Sequence, residues 1–269
     1  MELPRPHAIR YPAPMQRRLI SILCALVFVI AAHAVDRETL TQFSTIPALL
    51  SGLYDGEWTC TEVLTNGDIG IGTFDHLDGE MIILDGRCYR ARSDGNVVPA
   101  AATDTTPFAC VTFFDTDLVV SNLTAGSLTE LLATLEQKLP SPNIVYALRL
   151  DGDFAYVKTR SIPAQQKPYH PLTEIVKTQP TFEWRNVRGT LLGFRCPAFA
   201  KELNVAGWHL HFIIADRSHG GHVLDLRLTN QTAQLDLTPA LRQNLSTNAA
   251  YLKLNLSGDS TEAVKKVEK

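Results

Sequence analysis

Apolar residues along this chain fall mostly into short runs separated by turn residues, which is typical of β-strands. Between residues 54 and 112 these runs alternate with Gly-Asp turns, and Asn66-Gly67 and Asp85-Gly86 predict tight hairpin turns. Strand-like runs return later in the chain, at residues 144–150, 154–160, 182–187 and 189–194. The pattern therefore predicts a chain in which strands dominate.

Helical signals are fewer and stand between the strand runs. Ser127 and Glu130 form a capping box, which predicts a helix that ends before Pro140. A Thr-Pro pair at residues 238–239 predicts another helix start, and residues 260–269 predict a terminal helix. Strands with a few helices between them favour an α+β fold.

The N-terminus departs from this pattern. An arginine pair at residues 17–18 precedes an apolar run at residues 19–30, and a small-residue cleavage pattern ends at Ala34. These features predict a signal peptide at residues 1–34 and an exported protein, either periplasmic or secreted. The alternative is an uncleaved membrane anchor, although the apolar run is short for a span of roughly 20 residues.

Composition bounds the remaining possibilities. The chain has 269 residues, is 45% hydrophobic and carries a net charge of −3, so no basic surface points to a nucleic-acid partner. Prolines in residues 164–180 predict a boundary there, with one sheet domain at residues 35–180 and a second at residues 181–269. The cysteines beyond the leader are widely spaced, and both disulfide pairing and buried free thiols stay open for them. They are Cys60, Cys88, Cys110 and Cys196.

Histidines cluster in the second predicted domain. His209 and His211 stand two positions apart on a predicted strand, so both imidazoles point to the same face. A turn-rich segment at residues 216–221 would return the chain and bring His222 beside them. Three histidines on a rigid hairpin, with one coordination position open, are the ligand set of a catalytic zinc site. Hydrogen-bonded core histidines are the alternative interpretation.

Three neighbours of these histidines have other expected roles. His219 lies in the predicted turn, so we expect a loop residue rather than a ligand. Asp216 and Asp225 are candidates for carboxylates that orient an imidazole N–H. A turn role for Asp216 and a solvent-facing strand position for Asp225 are equally compatible with the sequence.

Several segments together resemble the acetolactate decarboxylase family. They follow one another from about residue 42 to residue 226, so the resemblance covers most of the chain beyond the leader. The matching motifs are YDG at 54–56, GDIGIGTFD at 67–75, LDGE at 77–80, VKTRS at 157–161, KPY at 167–169, GFRCP at 193–197, LNVAGWHLHF at 203–212 and GGHV at 220–223.

The resemblance implies a zinc enzyme that converts 2-acetolactate to acetoin and carbon dioxide. It implies two mixed β-sheet halves with the metal site in the cleft between them, and a homodimer. The family's metal ligands fall on the histidine trio of the hairpin, its catalytic glutamate on Glu80, and its substrate-binding arginine, which is also catalytic, on Arg160. Thr73 falls beside the substrate. An additional metal-site carboxylate falls on Glu268, with Glu262 as the second match.

This chemistry would leave negative charge on the carbon that loses the carboxylate. Zn²⁺ on the hydroxyl and ketone oxygens would stabilise the resulting enediolate. Arg160 would bind the anionic oxygens of the substrate, and Glu80 would deliver a proton. Two alternatives stay open: another three-histidine metal enzyme, such as a zinc hydrolase or hydratase, and an exported metal-binding module without catalysis.

Overall fold

The computed structural model describes residues 35–268, so the predicted leader lies outside the described residues. In chain order the elements are β1 (Thr39–Phe43), α1 (Ile46–Leu50), β2 (Trp58–Thr59), α2 (Cys60–Leu64), β3 (Ile69–Thr73), β4 (Glu80–Leu84), β5 (Arg87–Ala91), β6 (Val97–Pro99), β7 (Thr105–Thr106), β8 (Ala109–Thr112), β9 (Leu118–Ala125), α3 (Leu128–Glu136), β10 (Val145–Arg160), α4 (Leu172–Ile175), β11 (Thr181–Cys196), β12 (Gly207–Ile214), β13 (Gly220–Thr238), β14 (Ala240–Asn244) and α5 (Thr261–Val267). Mixed sheets with few helices confirm the predicted predominance of strands. Within this part of the chain, no helix is long and apolar enough to cross a membrane.

The first large sheet has seven strands in the order β14-β1-β8-β3-β4-β5-β6. β14 runs parallel to β1, and the other neighbours are antiparallel. The helix predicted at residues 238–239 is therefore wrong: Thr238 ends β13, and the residues after Pro239 form β14. Pairing with β1 along the sheet edge outweighs the local Thr-Pro signal, because it satisfies backbone groups along the whole strand.

The second large sheet has five strands in the order β10-β11-β12-β13-β9, and all its pairings are antiparallel. β10 also pairs with β13, so β10, β11, β12 and β13 close on themselves. The predicted boundary at residue 180 separates β10 from β11, whereas these two strands pair along nearly their whole length.

One hydrophobic cluster joins the two large sheets. It includes Ile71 and Ile82 from the seven-stranded sheet and Leu192, Phe194 and Ile213 from the five-stranded sheet. All five side chains are at most 2% exposed. The packing brings β4 against the β12–β13 hairpin, and this contact positions the site described below.

Local sequence signals explain several elements. Ser127 caps α3 by accepting a hydrogen bond from the backbone N–H of Glu130, as the capping box predicts. Asp85 and Gly86, with φ of 53° and 69°, form the predicted turn between β4 and β5. The hairpin predicted at Asn66-Gly67 is wrong, because these residues follow α2, a helix with its own capping box that sequence reasoning missed.

Candidate metal centre and active site

The β12–β13 hairpin carries the three histidines, and His211 pairs directly with His222 in its register. Their ring centroids lie 5.2 Å (His209–His211), 4.9 Å (His209–His222) and 5.5 Å (His211–His222) apart. One ring nitrogen of each lies within 4.8 Å of the other two. The hairpin predicted from the sequence thus brings all three imidazoles together around one point.

The imidazoles are held in the neutral form. Burial lowers the pKa of His209 to about 3 and those of His211 and His222 well below the usual value, and the Arg160 charge lowers them further. The Nδ1 of His211 lies 2.9 Å from the carbonyl oxygen of Met81, which can only accept. That bond fixes the hydrogen on Nδ1 and leaves the Nε2 lone pair of His211 available.

Glu80 is the first residue of β4 and approaches the hairpin from the other sheet. Its Oε2 lies 3.7 Å from the Nε2 of His211, and its side chain is 9% exposed. Burial raises the pKa of Glu80 to about 7; Arg160 opposes this shift and Glu268 adds to it. Thr73 donates to the carbonyl oxygen of Gly79 at 2.8 Å, which fixes the turn that presents Glu80.

Arg160 and Glu268 complete the polar lining. Arg160 ends β10, and its guanidinium donates to the Oε1 of Gln179 at 2.7 Å and to the carbonyl oxygen of Val267. Glu268 follows α5, and its Oε2 lies 3.7 Å from the Nε2 of His222. Burial raises the pKa of Glu268 to about 7, with Arg160 opposing. Gln179 and Val267 escaped sequence reasoning because their contacts depend on how separate segments meet.

One cavity of about 40 Å³ is lined by polar side chains from both large sheets and by apolar side chains. Glu80 and Thr73 line it from the seven-stranded sheet, and Arg160, His209 and His222 from the five-stranded sheet. Its apolar lining is Ile46, Leu49, Leu77, Phe108, Ile162, Leu172 and Val267. A cavity of this size admits several waters or a small ligand, so it suits a small substrate.

The neighbouring residues have other partners. His219 stacks on Trp184 with 4.4 Å between ring centroids, and its Nδ1 lies 3.0 Å from the carbonyl oxygen of Gly95, outside the histidine trio. Asp216 accepts from Ser218, and Asp225 accepts from the backbone N–H of Leu128. Of the two roles left open for these aspartates, their contacts agree with the structural one, and neither orients an imidazole of the trio. The group that orients His211 is instead the backbone carbonyl oxygen of Met81. Sequence reasoning missed it because no sequence motif indicates a backbone acceptor.

A buried histidine trio beside two carboxylates and an arginine, inside a mixed β fold, is typical of a metal-dependent enzyme. The family model for alpha-acetolactate decarboxylase matches residues 40–258. An alpha-acetolactate decarboxylase of Methanosarcina mazei is 46% identical over 86% of this chain and 81% of its own length. The relative of the same name from Bacillus subtilis is 42% identical over 84% of this chain and 88% of its own.

Solved structures agree. The crystal structure of alpha-acetolactate decarboxylase from Bacillus subtilis strain 168 superposes with a TM-score of 0.83 at 40% identity, covering 86% of this chain and 99% of that one. The chain belongs to the alpha-acetolactate decarboxylase family. It is therefore a carboxy-lyase of acetoin biosynthesis. Membership of this family favours decarboxylation over the alternatives, which were a zinc hydrolase, a hydratase and a non-catalytic metal-binding module.

Proposed function

We propose that this protein removes CO₂ from 2-acetolactate in a zinc-dependent reaction that passes through an enediolate and ends in acetoin. The observation that carries the proposal is the convergence of three neutral imidazoles, whose ring nitrogens lie within 4.8 Å of one another. Two of them, His209 and His222, line one cavity with Glu80, Arg160 and Glu268. Neutral imidazoles bind divalent transition metals, and this ligand set leaves a position open for substrate.

The residues present fit a zinc ion. The Nδ1 of His209 and the Nε2 of His211 are buried and have no hydrogen-bond partner among the described residues, an arrangement that a metal would satisfy. His222 would be the third ligand, and Glu268 would add a carboxylate oxygen. When bound, zinc would supply a Lewis acid for the hydroxyl and ketone oxygens of acetolactate.

Arg160 would hold the substrate carboxylate. Its two terminal nitrogens are fixed by Gln179 and Val267, so the guanidinium is already oriented before substrate arrives. Its buried Nε has no partner among the described residues and remains available as a donor. A carboxylate that accepts from this nitrogen would be held in one orientation, with its C–C bond placed for cleavage. Thr73 would shape the same wall through Gly79.

Glu80 would complete the reaction. When CO₂ leaves, the electrons of the broken C–C bond stay on the substrate and delocalise onto the ketone oxygen as the enediolate. With a pKa raised to about 7, a substantial share of Glu80 carries a proton near neutral pH and can donate it to that carbon. One proton is consumed per CO₂ released, and acetoin results. Solvent then reprotonates Glu80.

We also propose export and a homodimer. The leader chemistry at residues 1–34 supports export, and N-terminal sequencing of the mature protein should begin at Val35. The resemblance supports the dimer, which sedimentation at several protein concentrations tests. A mature chain that retains residue 1, or a monomer at every concentration, would contradict these two proposals separately.

The central experiment measures acetoin release from racemic acetolactate by purified protein. We expect acetoin and CO₂ in equal amounts, loss of activity with a chelator, and recovery when Zn²⁺ is returned. Metal analysis of the active protein should find one zinc per chain. Full activity in a protein free of metal would remove the metal from the mechanism, while zinc-replete protein that forms no acetoin would overturn the whole proposal.

A further inference from the structure

Two cysteines outside the lining of the active-site cavity lie side by side. Cys60 begins α2, and Cys88 is the second residue of β5. Their sulfur atoms are 3.5 Å apart, and the two residues are 1% and 7% exposed. We propose that Cys60 and Cys88 form a disulfide site, which an oxidising environment closes without disturbing the fold.

Backbone hydrogen bonds hold the two cysteines beside each other. The N–H of Cys60 donates to the carbonyl oxygen of Asp104, and the carbonyl oxygen of Cys88 accepts from the N–H of Ala100. Both cysteines are thus tied to the same short segment, at residues 100–104. A disulfide requires the sulfurs at about 2.05 Å, so they have to approach each other by roughly 1.5 Å from the 3.5 Å observed.

A second observation gives an oxidant access to the pair. Cys60 and Cys88 line a cavity of about 270 Å³ with Leu64, Gly86, Arg87, Tyr89, Pro99, Ala100 and Ala102. This volume admits a small organic disulfide or its reactive end. The neighbouring Cys88 thiol lowers the pKa of Cys60, and Cys60 raises that of Cys88. Cys60 is therefore the attacking thiolate and Cys88 the resolving thiol.

The oxidation balances with a low-molecular-weight disulfide as oxidant. The Cys60 thiolate attacks one sulfur of the oxidant, which breaks the oxidant's S–S bond and releases one thiolate. The Cys88 thiolate then attacks Cys60 in the mixed disulfide and releases the second. Two electrons pass to the oxidant and the two cysteine protons pass to its thiols, which leaves one S–S bond in the protein.

The other two core cysteines provide an internal control. Cys110 and Cys196 are 1% and 3% exposed. The Cys110 sulfur lies 3.1 Å from the amide nitrogen of Asn204 and 3.7 Å from the Oε1 of Gln42. Neither residue lines the cavity beside Cys60. They should therefore stay reduced under conditions that oxidise the proposed pair.

The test incubates the folded full chain with oxidised glutathione, blocks free thiols, and maps tryptic peptides without reduction. Trypsin cuts after Arg37, Arg87 and Arg90, so Cys60 lies on residues 38–87 and Cys88 on residues 88–90. We expect these two peptides to be joined, while the peptides of Cys110 and Cys196 carry the blocking group. Blocked Cys60 and Cys88, or a bond from either to another cysteine, would overturn the proposal.

A stability measurement separates a native bond from an adventitious one. A disulfide that fits the fold restricts the unfolded chain, so oxidation should raise the Tm by several degrees, on the order of 5 °C. The matched control is the double variant Cys60→Ser with Cys88→Ser, whose Tm should not respond to oxidant. Decarboxylation should be equal in all forms. A linked protein with a lower Tm than the reduced protein would contradict a bond that fits the fold.

Discussion

At the scale of single residues, burial keeps the three imidazoles unprotonated, so they can act as donors to a metal without first losing protons. The same burial raises the pKa of Glu80 and of Glu268 to about 7. The site therefore combines three neutral imidazoles with carboxyl groups whose pKa values lie near neutrality. These opposite shifts share one physical cause, since desolvation disfavours whichever form is charged.

Replacing Glu80 with glutamine should lower the turnover of acetolactate while zinc content stays full. Glutamine keeps the shape but cannot give a proton, and general acid–base groups contribute roughly 10²- to 10⁴-fold. Steady-state kinetics with metal analysis measure both quantities. Glu174→Gln, an exposed carboxylate on α4 whose side chain is 57% exposed, is the control. Unchanged turnover in the Glu80 variant would remove this residue from the mechanism.

Arg160→Ala should impair acetolactate handling more than metal binding. The variant loses the planar donor group for a carboxylate, and kcat/KM should fall on the order of 100-fold. Kinetics over a range of acetolactate concentrations measure the effect, and the metal content checks the ligands. Arg185→Ala, with a side chain 65% exposed, serves as control. Kinetics equal to those of the wild type would mean that Arg160 does not contact the substrate.

At the scale of elements, sequence and structure agree where local signals and tertiary pairing point the same way. The capping box at Ser127 and the turn at Asp85-Gly86 predict α3 and the β4–β5 hairpin correctly. Side chains alternate between the two faces of β12, so the spacing of His209 and His211 correctly predicts that both lie on one face of the histidine hairpin. Sequence reasoning fails at β14, where pairing with a distant strand decides the conformation.

Glu268, the residue that follows the last helix, places a carboxylate beside His222, and a pair of variants tests its role. Glu268→Gln should weaken zinc affinity roughly 10- to 100-fold, because its Oε2 lies 3.7 Å from the His222 ring. Glu262→Gln is the control, since that carboxylate bonds Lys265 and its side chain is 79% exposed. Zinc titration against a competing chelator measures both. Equal affinities in the two variants would exclude Glu268 from the metal.

Close strand packing at Gly193 supports the hairpin. Gly193 lies in β11 with a φ of 148°, and an added Cβ would meet the carbonyl oxygen of His209 at 2.1 Å. Gly193→Ala should therefore displace β12 at His209 and lower stability by about 1–3 kcal/mol. Because His209 would be a zinc ligand, the variant should also bind zinc more weakly. Thermal unfolding and zinc titration test this. Gly258→Ala is the control, because a Cβ added there meets nothing within 4 Å. Equal stability and zinc affinity in the two variants would show that β12 tolerates the change at Gly193.

At the scale of the whole molecule, the site exists only when both large sheets are in place. Glu80 comes from one sheet, the histidines and Arg160 from the other, and Glu268 from the chain beyond the last helix. Sequence motifs name these residues, but the cavity and the bonds from Arg160 to Gln179 and Val267 depend on long-range packing. The residue types at the site were therefore predictable, and their supporting contacts were not.

Asp236 makes the stability of the whole fold depend on pH. It lies in β13 and is fully buried. Burial raises its pKa to about 8; the charges of Asp115, Asp117 and Glu38 add to the shift, and a hydrogen bond from the backbone of Asp115 opposes it. In the unfolded chain an aspartate has a pKa of about 3.9. Between these values the folded state binds the extra proton, so stability falls as pH rises.

The variant Asp236→Asn cannot ionise and should escape this loss. The difference in free energy of unfolding between the variant and the wild type should shift in favour of the variant as pH increases from 5 to 9. This difference, the stability gap, should level off above the folded pKa of about 8. Urea unfolding of zinc-saturated protein at each pH measures the gap and keeps the metal site constant. Asp153→Asn, whose side chain is 70% exposed, should show no such trend. A pH-independent gap for the Asp236 variant would mean that Asp236 is already ionised in the folded protein, with its charge balanced by a group other than a proton.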